Sequence, residues 1–193
     1  PVGGWAPTTV PGAPAAWAEL TKKAGRLSLR ENLAPAVHLA RDGHAVSVTT
    51  AHFWDLAFKK YSKERGDEFK AWFDTFAPTG RTPRAGEVFT SEPHARTLEL
   101  IGDSDAEQFY RGAIAEKIVA AAGKTGGYFA PEDLASFAPE WVDPIGVDYK
   151  GYRVWEIPPN GQGIAALMAV IIDVFRKSAP RSGKLTNTSA AAK

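Results

Sequence analysis

DAEQFYRGAIAEKIV (residues 105–119), TGGYFAPEDLASF (125–137) and YKGYRVWEIPPNGQG (149–163) decide how this chain is built. The first string spaces apolar residues for a helix, with Ile114, Ile118, Val119 and Ala122 on one stripe. Ser104 and Glu107 stand at S-x-x-E spacing before it, the signature of a capping box. Gly123, Gly126 and Gly127 are expected to break it. The second string predicts a short helix started by Pro131, where a missing N–H is harmless. In the third, Tyr149-Lys150-Gly151-Tyr152 reads as a hairpin tip, because glycine takes the positive φ that tight hairpin turns require. Val147 before the tip, and Arg153, Val154, Trp155 and Ile157 after it, have strand character. Pro158 and Pro159 stop that strand, since neither donates to a ladder. The β content is expected to be confined to residues 142–157. From Gly163 to Phe175 the chain is apolar on nearly every face but too short to cross a bilayer, which predicts a buried core helix. Trp155 is expected to be buried with it.

Upstream, helices dominate. Residues 1–12 carry three Pro and three Gly and read as a loop. Gly12 to Gly25 predicts a helix with Trp17, Leu20 and Ala24 on one face. Ser28 and Glu31 form a second S-x-x-E box, opening a helix with Leu29, Leu33, Val37 and Ala40 as its stripe and Gly43 as its end. Pro35 lies inside and is expected to kink or split it. A third helix is expected over 49–65, lined by Phe53, Trp54, Ala57, Phe58 and Tyr61 and closed by Gly66. A short one follows with Phe69, Trp72, Phe73 and Phe76 on one side. Residues 77–90 read as loop, and Ser91 with Pro93 starts a helix bearing Ala95, Leu98 and Ile101. The fold class is therefore mainly α (α+β), about six or seven helices with one hairpin. Residues 1–177 are expected to form a single helical lobe. Residues 178–193, with one Leu and no aromatic, are expected to be a disordered tail. The N-x-S triplet Asn187-Thr188-Ser189 in that tail carries little weight as a glycosylation signal.

Composition narrows the function classes. A net charge of +1 without a basic block favours neither nucleic acid nor an anionic membrane as partner. The absence of cysteine excludes disulfides and thiolate metal sites. No apolar run approaches the roughly 20 residues of a membrane span. The first residues, P-V-G-G-W-A, do not read as a signal peptide. They lack an initiating Met, as a processed or excised segment would.

No complete catalytic constellation is legible. His38, His44, His52 and His94 lack metal-ligand spacing, so no metal or cofactor is expected. His38 reads as a partly buried structural imidazole. Glu132/Asp133 and Asp103/Asp105 read as carboxylates at helix starts, where the dipole favours them. No nucleophile elbow or phosphate loop is present. Pro158-Pro159-Asn160-Gly161-Gln162-Gly163 has a positive functional signal: glycines permit close approach and the following helix aims unpaired amides outward, as an anion or carboxylate site would. The competing reading, a plain strand-to-helix corner, is favoured on local physics alone.

The motifs together resemble the middle of the large subunit of γ-glutamyltransferases (γ-glutamyltranspeptidases) and their cephalosporin-acylase-like relatives. G-R-L-S-L-R-E-N-L-A-P-A-V-H-L-A-R-D-G-H-A-V (25–46) is similar to the family helix ending A-x-x-L-A-R-D-G. Residues 109–163 follow F-Y-x-G-x-I-A, G-G-x-x-x-x-x-D-L-A-x-F, Y-x-G-Y-x-V and P-P-x-x-x-G in order. The likeness covers roughly 1–177, with 51–80 least characteristic. P-P-N-G-Q-G departs from the P-P-x-S-S-G-G of many transpeptidases and leans toward the acylase-like branch.

The resemblance implies a part of an αββα N-terminal-nucleophile hydrolase, whose precursor cuts itself to expose a threonine. That threonine attacks a γ-glutamyl amide such as glutathione and passes the acyl group to water, an amino acid or a peptide. It implies as partners a small subunit, which supplies nucleophile and oxyanion hole, and an upstream part of the large subunit, which supplies an arginine for the substrate carboxylate. It implies substrate-binding candidates Asn160, Gly161, Gln162 and Gly163, no catalytic residue in this stretch, no cofactor, and a periplasmic or extracellular setting in bacteria. Thr49-Thr50-Ala51-His52 echoes the family's T-T-H start, but helical periodicity follows it, so Thr49 or Thr50 reads as a helix cap. The isolated chain is therefore expected to be inactive. The alternative is a non-enzymatic helical binding or interaction module derived from the same lobe.

Overall fold

A computed structural model describes residues 3–64 and 66–178 of the chain. Among these residues the helices are α1 (Ala13–Ala24), α2 (Leu29–Asp42), α3 (Val48–Tyr61), α4 (Lys70–Phe76), α5 (Glu92–Asp103), α6 (Glu107–Arg111), α7 (Ala113–Thr125), α8 (Pro131–Ala135) and α9 (Gly163–Ser178). Two small antiparallel sheets pair β1 (His44–Ala45) with β2 (Val88–Phe89) and β3 (Ile145–Tyr149) with β4 (Tyr152–Glu156). The fold is thus mainly α. The chain divides into two compact units, Pro1–Pro139 and Glu140–Lys193. Apart from Ser178, the expected tail lies outside the described residues.

In the first unit, α1 begins at Gly12, which has no side chain with which to cap it. Tyr110 on α6 does that work from 95 residues away: its hydroxyl accepts from the Ala15 amide at 3.2 Å and donates to the Pro11 carbonyl at 2.7 Å. The Tyr110 ring stacks on Phe137, and a core forms around Ala15, Leu29, Ile101, Ala106, Tyr110 and Ile114. This docking buries Pro14 and Ala15 and leaves the expected core face, Trp17 and Leu20, exposed. Those side chains line an open groove with Leu29 and Leu33 instead.

The Ser28/Glu31 capping box opens α2 as the sequence predicts: Ser28 Oγ accepts from the Glu31 amide and the Glu31 carboxylate from the Ser28 amide. Pro35 does not split the helix. Pro35 and Glu31 are both exposed, so the carbonyl that the proline leaves without a donor is open to solvent. Helix α5 packs along α2, and the two backbones meet at Gly102, where a Cβ would lie 2.9 Å from Arg30 Cα. Arg41 ties the pair from outside, bidentate to Glu99 at 2.8 Å and reaching Glu92 at 3.0 Å. After Gly43 the chain makes β1, which β2 joins from within the expected loop 77–90, so the β content is not confined to 142–157.

Helix α3 stops at Tyr61, four residues earlier than expected, with Ser62 rather than Gly66 as its cap. It meets α4 through aromatic contacts, Phe58 edge-on to Phe73, Tyr61 to Trp72 and Trp54 tilted against Phe76, while Trp54 also meets Phe89 of β2 edge-on. The expected box at Ser104/Glu107 does not form. Ser104 closes α5 by donating to the Leu100 carbonyl, and Asp105 and Ala106 take positive φ of 47° and 69° to redirect the chain into α6. Gly123 does not break α7, which runs to Thr125 and ends at Gly126 in the left-handed region, φ 77°. These separate turns explain why more helices form than the sequence count suggests.

In the second unit the hairpin forms where expected. Lys150 and Gly151 both take positive φ, 48° and 84°, giving a two-residue type I′ loop whose twist matches the strands. The register places Ile145, Val147 and Tyr149 opposite Glu156, Val154 and Tyr152. That face receives α9, and the Tyr149 hydroxyl donates to the Asp173 carboxylate at 2.7 Å. Trp155 therefore falls on the opposite face and is 55% exposed, not buried. Nor is α9 buried all round. Leu167 is 6% exposed, but Ile164, Met168 and Ile172 face outward and Ile171 is 36% exposed.

Candidate functional site

The loop between β4 and α9 is the stretch whose chemistry the sequence singles out. β4 ends at Glu156, Pro158 and Pro159 carry the chain outward, and Asn160, Gly161 and Gln162 are exposed. The Gln162 carbonyl accepts from the Ala165 and Ala166 amides at 3.0 and 3.2 Å, closing the first turn of α9. The amides of Gly163 and Ile164 precede any intrahelical acceptor, so the positive end of the helix opens at this loop.

Its two glycines differ in kind. A Cβ on Gly163 would lie 2.8 Å from both Glu156 Cβ and the Ile157 carbonyl, so Gly163 is needed for the corner itself. A Cβ on Gly161 would meet nothing within 4 Å, and its φ lies outside the left-handed region. Neither local conformation nor packing within the described residues demands a glycine there. Of the four contiguous candidates, Asn160, Gly161 and Gln162 are exposed and Gly163 is half-buried, with Gly163 structural and Gly161 open.

Beside the loop the hairpin carries a feature that the sequence reading missed. Trp155 lies across Gly146, directly opposite in the register, and the Arg153 guanidinium stacks 4.7 Å from the Trp155 ring while reaching Asp148 at 3.8 Å. Gly146 facing a tryptophan at strand period is the signal that would have found it.

The other candidates are scattered. His38 is exposed and pairs loosely with Asp42 at 3.6 Å, rather than being partly buried, because it lies on the open rim of the groove between α2 and α5. His44 edges Phe89 and His52 edges Phe53. His94 Nδ1 lies 2.6 Å from Ser91 Oγ, a contact within one helical turn. Among the described residues no group of His, Asp and Glu could hold a metal ion. Asp133 accepts from the Ala130 amide at 2.8 Å, the helix-start role expected of it. Asp103 instead ends α5, where the dipole disfavours it, and Arg30 compensates at 3.2 Å; Asp105 lies in the linker. Thr49 and Thr50 sit in the first turn of α3, but neither is the cap. Ser47 is, accepting from the Thr50 amide at 3.1 Å and donating to Thr50 Oγ1 at 2.9 Å.

A profile of the family described as Gamma-glutamyltranspeptidase matches residues 1–189. The chain belongs to the γ-glutamyltranspeptidase family. It is 34% identical over 164 residues to the glutathione hydrolase-like YwrD proenzyme of Bacillus subtilis, covering 85% of this chain and 30% of that protein. The crystal structure of cephalosporin acylase from Bacillus halodurans superposes with a TM-score of 0.85 at 53% identity, over 89% of this chain and 32% of its own. The Helicobacter pylori γ-glutamyltranspeptidase gives a TM-score of 0.79 at 30% identity, over 97% and 52%. The chain thus spans less than a third of the length of the curated relatives it matches, 30% of the Bacillus subtilis protein among them.

Proposed function

We propose that this chain forms the helical lobe and one substrate-facing loop of an enzyme that transfers or hydrolyses γ-glutamyl groups through an N-terminal threonine lying outside residues 1–193. The observation that carries this reading is the family match over residues 1–189 combined with coverage of only 30% of a proenzyme relative. The internal threonines support it. An N-terminal nucleophile needs its own α-amine as base, whereas Thr49 and Thr50 lie within the first turn of a capped helix. Asn160, Gly161, Gln162 and Gly163 offer the helix-start amides of α9 to a donor carboxylate. The open space at Gly161 is consistent with a ligand approaching the backbone there.

The rest of such an enzyme, the upstream large subunit and the small subunit, supplies a cover for the outward apolar side chains Ile164, Met168 and Ile172. Glutathione or a related γ-glutamyl amide is the donor, and water, an amino acid or a peptide the acceptor. The 53% identity with the cephalosporin acylase, against 30% with the transpeptidase, supports the acylase-like branch.

The test is release of a chromogenic amine from a γ-glutamyl anilide. The chain as given is expected to show none above the uncatalysed rate, and a precursor with both flanks is expected to cut itself and turn over. Turnover by the chain alone, abolished by Thr50→Ala, would refute the assignment of the nucleophile. A flanked precursor that neither cuts nor turns over would replace it with a non-enzymatic interaction module.

A further inference from the structure

We infer that Asn160 is a site of spontaneous deamidation, a covalent modification that changes the charge of the β4–α9 loop. The reaction needs a backbone nitrogen free to reach the preceding side-chain carbonyl. Asn160-Gly161 is the single Asn-Gly pair in the chain, and both residues are exposed. Pro159 and Asn160 stand in a turn, and among the described residues neither the Asn160 side chain nor the Gly161 amide makes a close hydrogen bond. Gly161 has open space around its Cα and no side chain to hinder ring closure.

The Gly161 nitrogen loses its proton to solvent base and attacks Asn160 Cγ. The bond from Cγ to the side-chain nitrogen breaks, and ammonia leaves, forming a five-membered imide. Water then opens the ring at either carbonyl, giving aspartate or isoaspartate. The sum is one water consumed and one ammonia released, with no oxidant or reductant.

The other comparable positions are guarded. At Asp42-Gly43 the Gly43 amide is engaged, donating to the Leu39 carbonyl at 3.2 Å. Asn32 lies inside α2, where the helix holds the following amide. Asn187 is followed by Thr188, whose branched side chain crowds the attack. The new carboxylate would stand just before the positive end of α9, which stabilises it. It would also repel an anionic ligand from the same rim; that consequence rests on the functional reading above, and the chemistry does not.

Ageing the chain in mildly alkaline buffer, followed by peptide mapping, tests the inference. The peptide holding Asn160 should gain about 1 Da and accept methyl groups from an isoaspartyl methyltransferase, while the Asp42 peptide should not. The net charge of the whole chain falls from +1 by one charge, visible on isoelectric focusing. Gly161→Ala fits the fold, since its Cβ meets nothing, and should slow the mass gain about tenfold or more. An unmodified Asn160, or a Gly161→Ala chain that converts as fast as the parent, would overturn the inference. In the flanked precursor, a KM for the anilide that rises with isoaspartate content supports the anion-binding role. Conversion with an unchanged KM overturns that role and leaves the modification standing.

Discussion

Tyr110→Phe removes one oxygen and isolates the contact that fixes the start of α1. The ring and its stacking on Phe137 remain, so no cavity forms and the cost is polar. Two groups lose their partner. Pro11 is exposed, so its carbonyl turns to water. The Ala15 amide is buried and no side chain at Gly12 replaces the hydroxyl. An orphaned buried donor and a lost helix cap describe the same event, so their magnitudes do not add, and the loss is about 1–2 kcal/mol. Urea unfolding followed by tryptophan fluorescence measures it, and hydrogen exchange at Ala15 localises it. The pH dependence has a fixed sign. Burial raises the Tyr110 hydroxyl above its usual value of 10.0, against a smaller lowering by the Ala15 hydrogen bond. A raised folded value favours the protonated native form. The contribution is therefore fully present below about pH 10 and is lost as pH rises through the folded value. The phenylalanine variant lacks that alkaline limb. A loss below about 0.3 kcal/mol with unchanged protection of the Ala15 amide would refute the capping role.

Two further outcomes follow from burial and charge. Leu167→Ala should destabilise the hairpin unit by about 2–5 kcal/mol in chemical denaturation, whereas Ile171→Ala, already partly exposed, should cost about 1 kcal/mol; the reverse order would show that α9 faces the hairpin differently. Glu87 is held down to about 2, first by the Arg81 side chain and then by the Arg84 amide. Its contribution is present above about pH 4.5 and is lost as pH falls toward 2, so Glu87→Gln should flatten part of the acid limb of stability measured by circular dichroism, and an unchanged limb would remove the ion pair from the account.

Local chemistry was legible wherever a short motif satisfies its own backbone. Ser28 with Glu31 caps α2, and Lys150-Gly151 turns the hairpin, because each needs only neighbours within four residues. The same S-x-x-E spacing failed at Ser104, where α5 continues up to it and its hydroxyl, donating to the Leu100 carbonyl, accepts from the Gln108 amide rather than from Glu107. Tertiary partners stayed hidden for a related reason. Nothing near Gly12 announces that a hydroxyl 98 positions later will cap its helix. The β1–β2 pairing was missed because two-residue strands carry no periodicity. Hydrophobicity alone points Trp155 inward, whereas strand alternation puts it on the face opposite Val154.

The outward faces of Trp155 and α9 leave apolar surface uncovered among the described residues. Burial expected from composition alone assumes that the chain must cover its own apolar surface. Here Leu167 is covered while Ile164, Met168 and Ile172 are not, on a helix whose preceding loop keeps Gly161 unencumbered. A corner needs Gly163, because Glu156 and Ile157 crowd it; nothing within the described residues needs Gly161. The two readings of P-P-N-G-Q-G are therefore not rivals over the whole motif. The structural reading accounts for Gly163, and Gly161, which the fold leaves unexplained, is the position at which the proposed ligand reading can be tested.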